Sequence, residues 1–344
     1  MPISAKELAR KLNVSPATIS MVLNHRPGIS EKTRDRVLAA ARKYDYDLTK
    51  YTSSVDENKN ICFMIYKKNG KVVSDTPFFS ALTEGISNTC QAGNLTVNVF
   101  YIYGNRPVEP QLRELSEKRY DGALLLATEM ERNDFQPFLH FSSPLVVLDC
   151  YYEDLPFDTV LINNIQGAYA ATSHLIHRGF ERIGYLKSSF QIANFDERSD
   201  GYYKALRAHN IKKYADCILE LSPSMEAAYL DMKELLKRKI TLADAYFADN
   251  DLIAAGAIRA LLEAGLRIPE DVSIIGFDDI SLCNFLSPTL STMRVNTRDF
   301  GILAVKQLQS RIENPSRSLV KTALSTQLIS RESVKKTNSA RNSA

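Results

Sequence analysis

The chain has 344 residues, of which 44% are hydrophobic and 24% charged. That length exceeds one ordinary domain and suits a small unit plus one large or two medium ones, and the composition excludes a chain disordered throughout. The formal net charge of +3 is unevenly placed: residues 1–50 hold 10 Lys and Arg against 5 Asp and Glu, and the remainder holds 33 against 35. No apolar run reaches the roughly 20 residues needed to span a membrane. Met1-Pro2-Ile3-Ser4 lacks the basic and apolar regions of a signal peptide. Cys62, Cys90, Cys150, Cys217 and Cys283 are odd in number with no paired spacing, and read as buried, reduced thiols of a cytoplasmic protein.

The first elements are three short helices. Ser4-Ala5-Lys6-Glu7 is a capping box, in which the Ser4 hydroxyl takes an amide of the first turn and Glu7 reaches back to the Ser4 amide. The helix it opens carries Leu8, Ala9 and Leu12 on one face and stops near Asn13, a residue that tolerates a left-handed cap. Ser15 caps a second helix, with Pro16 at the first position, where a missing amide costs nothing. Over 16–23 that helix turns Ile19, Val22 and Leu23 inward. Ser30 caps a third, 31–44, with Val37, Leu38 and Ala41 inward. Two short helices joined by a tight turn and braced by a third make a helix-turn-helix unit. The outward residues of the second helix, Ser15, Pro16, Ala17, Thr18, Ser20 and Met21, are small or polar and suit a DNA major groove. The local excess of positive charge suits phosphate attraction. A helical hairpin with solvated hydroxyls is the plainer alternative.

The run Val14-Ser15-Pro16-Ala17-Thr18-Ile19-Ser20-Met21-Val22-Leu23-Asn24, followed by Ser30-Glu31-Lys32-Thr33-Arg34 and Tyr44-Asp45-Tyr46, resembles the headpiece of the lactose/galactose repressor (LacI/GalR) family. The resemblance implies double-stranded operator DNA as partner. It puts Pro16, Ala17 and Met21 at base edges, and Ser15, Thr18, Ser20, Asn24, Ser30 and Thr33 at phosphates, with Ser4, Ala5 and Tyr46 completing the DNA-binding set. Met21 stands where the family often has a basic residue. It cannot donate to guanine, so its readout is apolar, as against a thymine methyl. Residues 47–60 are polar and hydroxyl-rich and read as a linker. In the resembled family this stretch becomes a hinge helix with a minor-groove wedge; Val55 is the nearest equivalent here.

From residue 61 apolar strands alternate with amphipathic helices. Strands are expected over 61–66, 95–101, 122–128 and 145–149, and helices over 78–92, 108–119 and 132–140. A second series has strands over 159–162, 182–187, 218–221, 245–248 and 272–277, and helices over 165–178, 199–209, 225–238 and 251–264. Strands apolar without alternation are buried on both faces, so the two series predict two doubly wound parallel-sheet lobes. The layout is a headpiece (1–46), a linker (47–60), a first lobe (61–157 and 291–318), a second lobe (158–290 and 319–332) and a polar tail (333–344). The returns of 291–318 and 319–332 are implied by the family resemblance. The tail carries no leucine heptad of the kind found in tetrameric relatives, so a homodimer is expected.

No G-x-G-x-x-G after a strand, P-loop or G-x-S-x-G elbow is present, and enzymatic function has no positive support. His174 and His177 lie three apart with no third ligand spaced to join them, so neither metal nor cofactor is expected. Polar residues do gather at the carboxyl ends of strands, where doubly wound sheets bind ligands. They are Asp149, Asp249-Asn250-Asp251 and Asp278-Asp279; each alone also reads as a helix cap or a loop acid. Arg198, placed just before a helix, offers a planar donor fork, or else a surface ion pair with Asp196 or Glu197.

The second half is similar to the family's regulatory core, itself like a periplasmic sugar-binding protein. The matching runs are His174-Leu175-Ile176-His177-Arg178-Gly179-Phe180-Glu181-Arg182-Ile183-Gly184, Arg198-Ser199-Asp200-Gly201-Tyr202, Asn250-Asp251-Leu252-Ile253-Ala254-Ala255-Gly256 and residues 268–279. The resemblance implies that Arg198, Asn250 and Asp278 hold an effector from the second lobe, and Asp149, Phe78 and Phe79 from the first. Asn163 stands where an acid is common and joins the expected site. Pro223 lies near where relatives place a stacking aromatic. The chain is thus expected to be a cytoplasmic, nucleoid-associated regulator, a homodimeric repressor on a pseudo-palindromic operator, controlled by a small molecule, a sugar first of all. A nucleobase effector, a partner phosphoprotein and a sugar-processing enzyme with an appended headpiece are the alternatives.

Overall fold

The computed structural model describes residues 3–23, 29–44, 46, 59–68, 70, 72–73 and 77–336. The chain divides into two compact units, Met1–Lys59 and Asn60–Ala344. In the first, α1 (Ala5–Leu12), α2 (Pro16–Leu23) and α3 (Glu31–Lys43) enclose a core of Leu8, Ala9, Ile19, Val22, Leu23, Val37, Ala40 and Ala41. The caps are those the sequence specifies. The Ser4 hydroxyl accepts from the Glu7 amide, whose carboxylate accepts from the Ser4 amide at 2.9 Å, and Asn13 closes α1 in the left-handed region. Ser15 and Ser30 accept from the amides of Thr18 (2.9 Å) and Thr33 (3.3 Å). Arg36 on α3 donates to the Leu12 carbonyl at 2.9 Å, satisfying an end of α1 that has no intrahelical donor.

In the second unit the chain forms, in order, β1 (Lys59–Lys67), α4 (Pro77–Ala92), β2 (Leu95–Tyr103), α5 (Val108–Glu117), β3 (Gly122–Leu126), β4 (Leu145–Leu148) and β5 (Asp158–Ile162). There follow α6 (Asn164–His177), β6 (Ile183–Ser188), α7 (Ala193–Ala208), β7 (Ile218–Leu221), α8 (Met225–Lys237), β8 (Ala245–Ala248), α9 (Asp251–Glu263) and β9 (Ser273–Asp278). Last come β10 (Ser291–Arg294), α10 (Thr297–Glu313), β11 (Lys321–Leu324) and β12 (Gln327–Ile329). They build two six-stranded sheets, ordered β11-β5-β4-β3-β1-β2 and β12-β10-β9-β8-β6-β7. The central strands are apolar on both faces and buried, as in β3 and β4, because helices cover both sides.

Three strand placements correct the sequence reading. β5 belongs to the first sheet, in register with β4 as Val146 with Asp158, and does not open the second. Buried Asp158 is bonded to Arg311, Arg317 and the Val320 amide, all from the segments that return to this lobe. β10 stays in the second sheet beside β9, so only α10 returns to the first lobe from that stretch. There Gly301 meets Gly85 of α4 backbone to backbone; a Cβ on Gly301 would stand 2.9 Å from the Gly85 carbonyl carbon. The last stretch splits, β11 running parallel to β5 and β12 antiparallel to β10. Hydrophobic periodicity marks a strand but carries no information about which ladder it joins. The expected helix over 132–140 is a run of 3-10 turns, since Pro137 removes an amide from its interior. All five cysteines are buried and free.

Candidate functional site

A cavity opens at the carboxyl ends of both sheets, lined from both lobes. The first lobe contributes Val72, Phe78, Phe79, Thr128, Asp149 and Ile162. The two phenylalanines sit in the first turn of α4 with rings edge to face at 5.1 Å. The second lobe contributes Ile192, Asn194, Phe195, Arg198, Asn250 and Asp278. Of the seven effector residues expected from the sequence, six converge here.

Asp149 follows β4 with φ of 65°, and Asp278 ends β9 with φ of 110°. Both are left-handed conformations that side chains rarely adopt, and such strain concentrates where a ligand is held. The Thr128 hydroxyl donates to Asp149 Oδ2 at 2.6 Å, while Asp149 Oδ1 is buried and has no hydrogen bond of normal geometry among the described residues, with the Asn194 side chain as the nearby donor. Burial pushes the Asp149 carboxyl up to about 7, against the Thr128 hydrogen bond and Arg198. Asp278 rises to about 6 for the same reason, opposed by Arg198.

Arg198 lies in the second turn of α7 and not ahead of it, and is 3% exposed, which rules out a surface ion pair. Three of its five N–H donors are engaged within the protein. Nε donates to Asn164 Oδ1 at 2.9 Å, Nη1 to the Asp249 carbonyl at 2.5 Å and Nη2 to Asp278 Oδ1 at 3.2 Å, over the Phe277 ring at 3.8 Å. Gly201, one turn on, permits this reach. A Cβ there would sit 2.5 Å from the Ile165 carbonyl, forcing α7 away from α6.

The rest of the acidic cluster is structural. Asp249 accepts from the Tyr185 hydroxyl and the Ser188 amide, and Asp251 from the Thr292 hydroxyl (2.6 Å) and the Ile280 amide (3.0 Å). Asp279 pairs with Arg294 and Arg331. Asn250 lines the cavity but also caps α9, its Oδ1 accepting from the Ile253 amide at 2.8 Å. Asn163 is the misplaced expectation: it caps α6 and lines a separate cavity with Glu197 and Lys321. Its neighbour Asn164, 1% exposed, is the one that reaches the site, bonding Arg198, Asn194 and Glu197. Sequence reasoning also missed Val72, Thr128, Ile162, Ile192, Asn194 and Phe195. The last two precede Arg198 by four and three residues, so an earlier start for α7 would have put all three on one face.

In the first unit, Ser15, Pro16, Ala17 and Ser20 of the α2 segment are exposed, and Thr18 and Met21 half-buried. Ser4 and Ser30 are exposed helix caps; Thr33 is half-buried, and Ala5 and Tyr46 pack against the headpiece core. Asn24 and Val55 lie outside the described residues. Among the described residues no cluster of His, Cys, Asp and Glu could hold a metal ion, and no helix is long and apolar enough to cross a membrane.

Residues 4–47 match the model for bacterial regulatory proteins of the lacI family, and residues 172–334 that of a periplasmic binding protein-like domain. The chain is 32% identical to the ribose operon repressor of Haemophilus influenzae over 96% of its own length and 98% of the relative's. It is 30% identical to the HTH-type transcriptional repressor PurR of Pasteurella multocida over 96% and 98%. Among solved structures it resembles a LacI family transcriptional regulator from Enterococcus faecium with bound ribose, at 27% identity and TM-score 0.67, over 79% of this chain and 98% of that one. These relatives are regulators and not enzymes. The α1–α3 unit and the paired parallel-sheet lobes are therefore a DNA-binding domain and a periplasmic-binding-protein-like domain on one chain, and the chain belongs to the LacI family of bacterial transcriptional regulators.

Proposed function

We propose that this regulator is a homodimeric, cytoplasmic repressor whose effector is an uncharged sugar bound in the cavity between the two lobes. The carrying observation is the balance of donors and acceptors there. Asp149 Oδ1 has no hydrogen bond of normal geometry among the described residues, Asp278 stands opposite, and Arg198, the one guanidinium among the described lining residues, has three of its five N–H donors bonded within the protein. A ligand rich in hydroxyl donors suits such a site, and the Phe78 and Phe79 rings suit the apolar face of a sugar. A phosphate or carboxylate would meet the carboxylates of Asp149 and Asp278, with Arg198, already paired to Asp278, as the one cation among the described lining residues. A relative named for the ribose operon, and another with ribose bound, support a pentose as the first sugar to try. The nucleobase alternative is kept by the purine-type repressors at 30% identity.

On the DNA side, α2 enters the major groove with Pro16, Ala17 and Met21 at base edges. Ser15, Thr18, Ser20, Asn24, Ser30 and Thr33 face phosphates, and Ser4 and Ala5 present the start of α1. Two headpieces on a two-fold dimer match a pseudo-palindromic site, with residues 47–60 as the hinge. The effector shifts DNA affinity only by its differential affinity for two arrangements of the lobes, typically about 1–3 kcal/mol of coupling. A thermal-shift screen of pentoses, hexoses, their phosphates and nucleobases tests the reading. A sugar at 100 times its Kd adds roughly 2.7 kcal/mol of stability. Stabilisation by phosphates or nucleobases alone refutes it.

A further inference from the structure

Beyond the end of β3 two neighbouring polar side chains turn opposite ways. Thr128 faces the cavity and donates to Asp149. Glu129, 2% exposed, turns to the backbone that follows β1. Its Oε2 accepts from the amides of Lys68 and Gly70, each at 2.9 Å, and its Oε1 from those of Val72 (2.9 Å) and Val73 (3.0 Å). A carboxylate is an acceptor-only group with about four lone-pair sites, and here it meets four amide donors. Val72 is at once a donor to Glu129 and a wall of the effector cavity. The Lys68 ammonium is engaged elsewhere, with Glu131 at 2.9 Å and Asp134 at 3.1 Å.

We propose that Glu129 is a positioning residue for the effector site: its carboxylate pins the backbone at Lys68, Gly70, Val72 and Val73, and so holds Val72 in place as a wall of the cavity. Glu129 itself lines none of that cavity. It acts through the four amides, whose positions a single buried anion fixes together. Val72 shares the first-lobe lining of the cavity, and an apolar cluster, with Phe78 and Phe79 at the start of α4. The role rests on the reading of this cavity as the effector site, but the clamp can be measured without any ligand.

Glu129→Gln keeps shape and length while turning one oxygen into an NH2 group, so two of the four amides meet a donor in place of an acceptor. Glu129→Asp keeps both oxygens but draws them back by about 1.5 Å, the length of one carbon–carbon bond. Hydrogen exchange on the ligand-free full chain is the first measurement. Both variants should lose protection at the amides of residues 68, 70, 72 and 73, with β3, β4 and the second lobe unchanged. Unchanged exchange at those amides overturns the clamp, and so does a loss spread through the whole first sheet, which would make Glu129 a general support of the fold. Calorimetry with D-ribose and with whichever sugar stabilises the parent is the second. Loosening the wall should weaken binding about 10- to 100-fold, the scale of one or two hydrogen bonds. Lost protection with unchanged affinity would also overturn the positioning role. If no sugar binds the parent, the sugar reading fails, and exchange alone judges the clamp.

Discussion

At Asp149 a single oxygen atom carries much of the functional reading. Oδ1 is buried with no hydrogen bond of normal geometry among the described residues, Asn194 being the nearby donor, and a ligand hydroxyl would complete it. Asp149→Asn keeps the shape and the Thr128 contact while removing the charge. A charge-assisted hydrogen bond is worth roughly 1.5–3 kcal/mol, so the substitution should weaken effector binding about 10- to 150-fold with the fold intact. Calorimetry on the folded variant checks this. Arg198 is a poorer probe than its sequence context promised. Read there as a donor fork just ahead of a helix or a surface ion pair, it holds Asn164, the Asp249 carbonyl and Asp278 from within the fold. Arg198→Ala should therefore cost about 1–3 kcal/mol of stability as well as effector affinity, because it leaves the buried Asn164 oxygen and Asp249 carbonyl short of a donor and the half-buried Asp278 unpaired. A chemical-denaturation midpoint equal to the parent's would contradict that.

The same carboxylates set a pH dependence. Burial raises Asp149, Asp249 and Asp251 to about 7 and Asp278 to about 6. Groups raised in the folded state bind more protons there than in the unfolded chain. Their stabilising contribution is present in acid and is lost as pH rises from about 4, the unfolded carboxylate value, through 7. His174, lowered by burial, works the other way below about 6.5. With Asp196 and Glu197 also raised by burial, the raised carboxylates outnumber the one lowered histidine, which predicts that the ligand-free core melts at a lower temperature at pH 7.5 than at pH 5.5. The slope should be shallower in Asp149→Asn, and a steeper one would be inconsistent with the assignment.

Among the elements, the caps were the most legible part of the chain. Ser4, Ser15 and Ser30 each announce a helix by local chemistry, and each accepts the expected first-turn amide. Helix starts without such a signal were not legible. α7 begins after Ile192, which offers no side-chain cap, and so began later in the sequence reading than it does in the fold. That displacement hid Asn194 and Phe195 and left Arg198 outside a helix. The α6–α7 contact gives a test at this scale. Gly201→Val would press on the Ile165 carbonyl and the Ala168 side chain, an overpacking that costs typically about 1–3 kcal/mol. Because α7 carries Arg198, effector affinity should fall in the same variant. Thermal melting and titration together check it, and a loss of stability with affinity unchanged would mean that α7 reaches its site without that close approach.

For the whole molecule, the two-lobe architecture could be read from strands apolar on both faces, but the crossings between sheets could not. β5 was recognisable as a strand and the stretches holding β10, β11 and β12 as returns to the lobes, but their sheet membership followed from pairings more than 100 residues apart in two cases, β11 with β5 and the bonds of Asp158 to Arg311. Such pairings leave no trace in local periodicity. The uneven charge, by contrast, has a direct consequence. DNA binding should reside in the basic first 50 residues, so log affinity should fall with log salt by about 0.9 per phosphate neutralised. Residues 60–344 alone should still bind effector and not DNA. Sequence-specific DNA binding by that fragment in a mobility-shift assay would contradict the division of labour.

The central proposal, that an uncharged sugar is held between the lobes by Asp149, is tested most directly by calorimetric titration of the full chain and of Asp149→Asn. The ligands are D-ribose, other pentoses and hexoses, their phosphates, and hypoxanthine and guanine. One uncharged sugar should bind the parent once per chain, its phosphate should not, and the variant should bind that sugar about 10- to 150-fold more weakly. Tight binding of a sugar phosphate or a nucleobase, or equal affinity of parent and variant for the sugar, would contradict it.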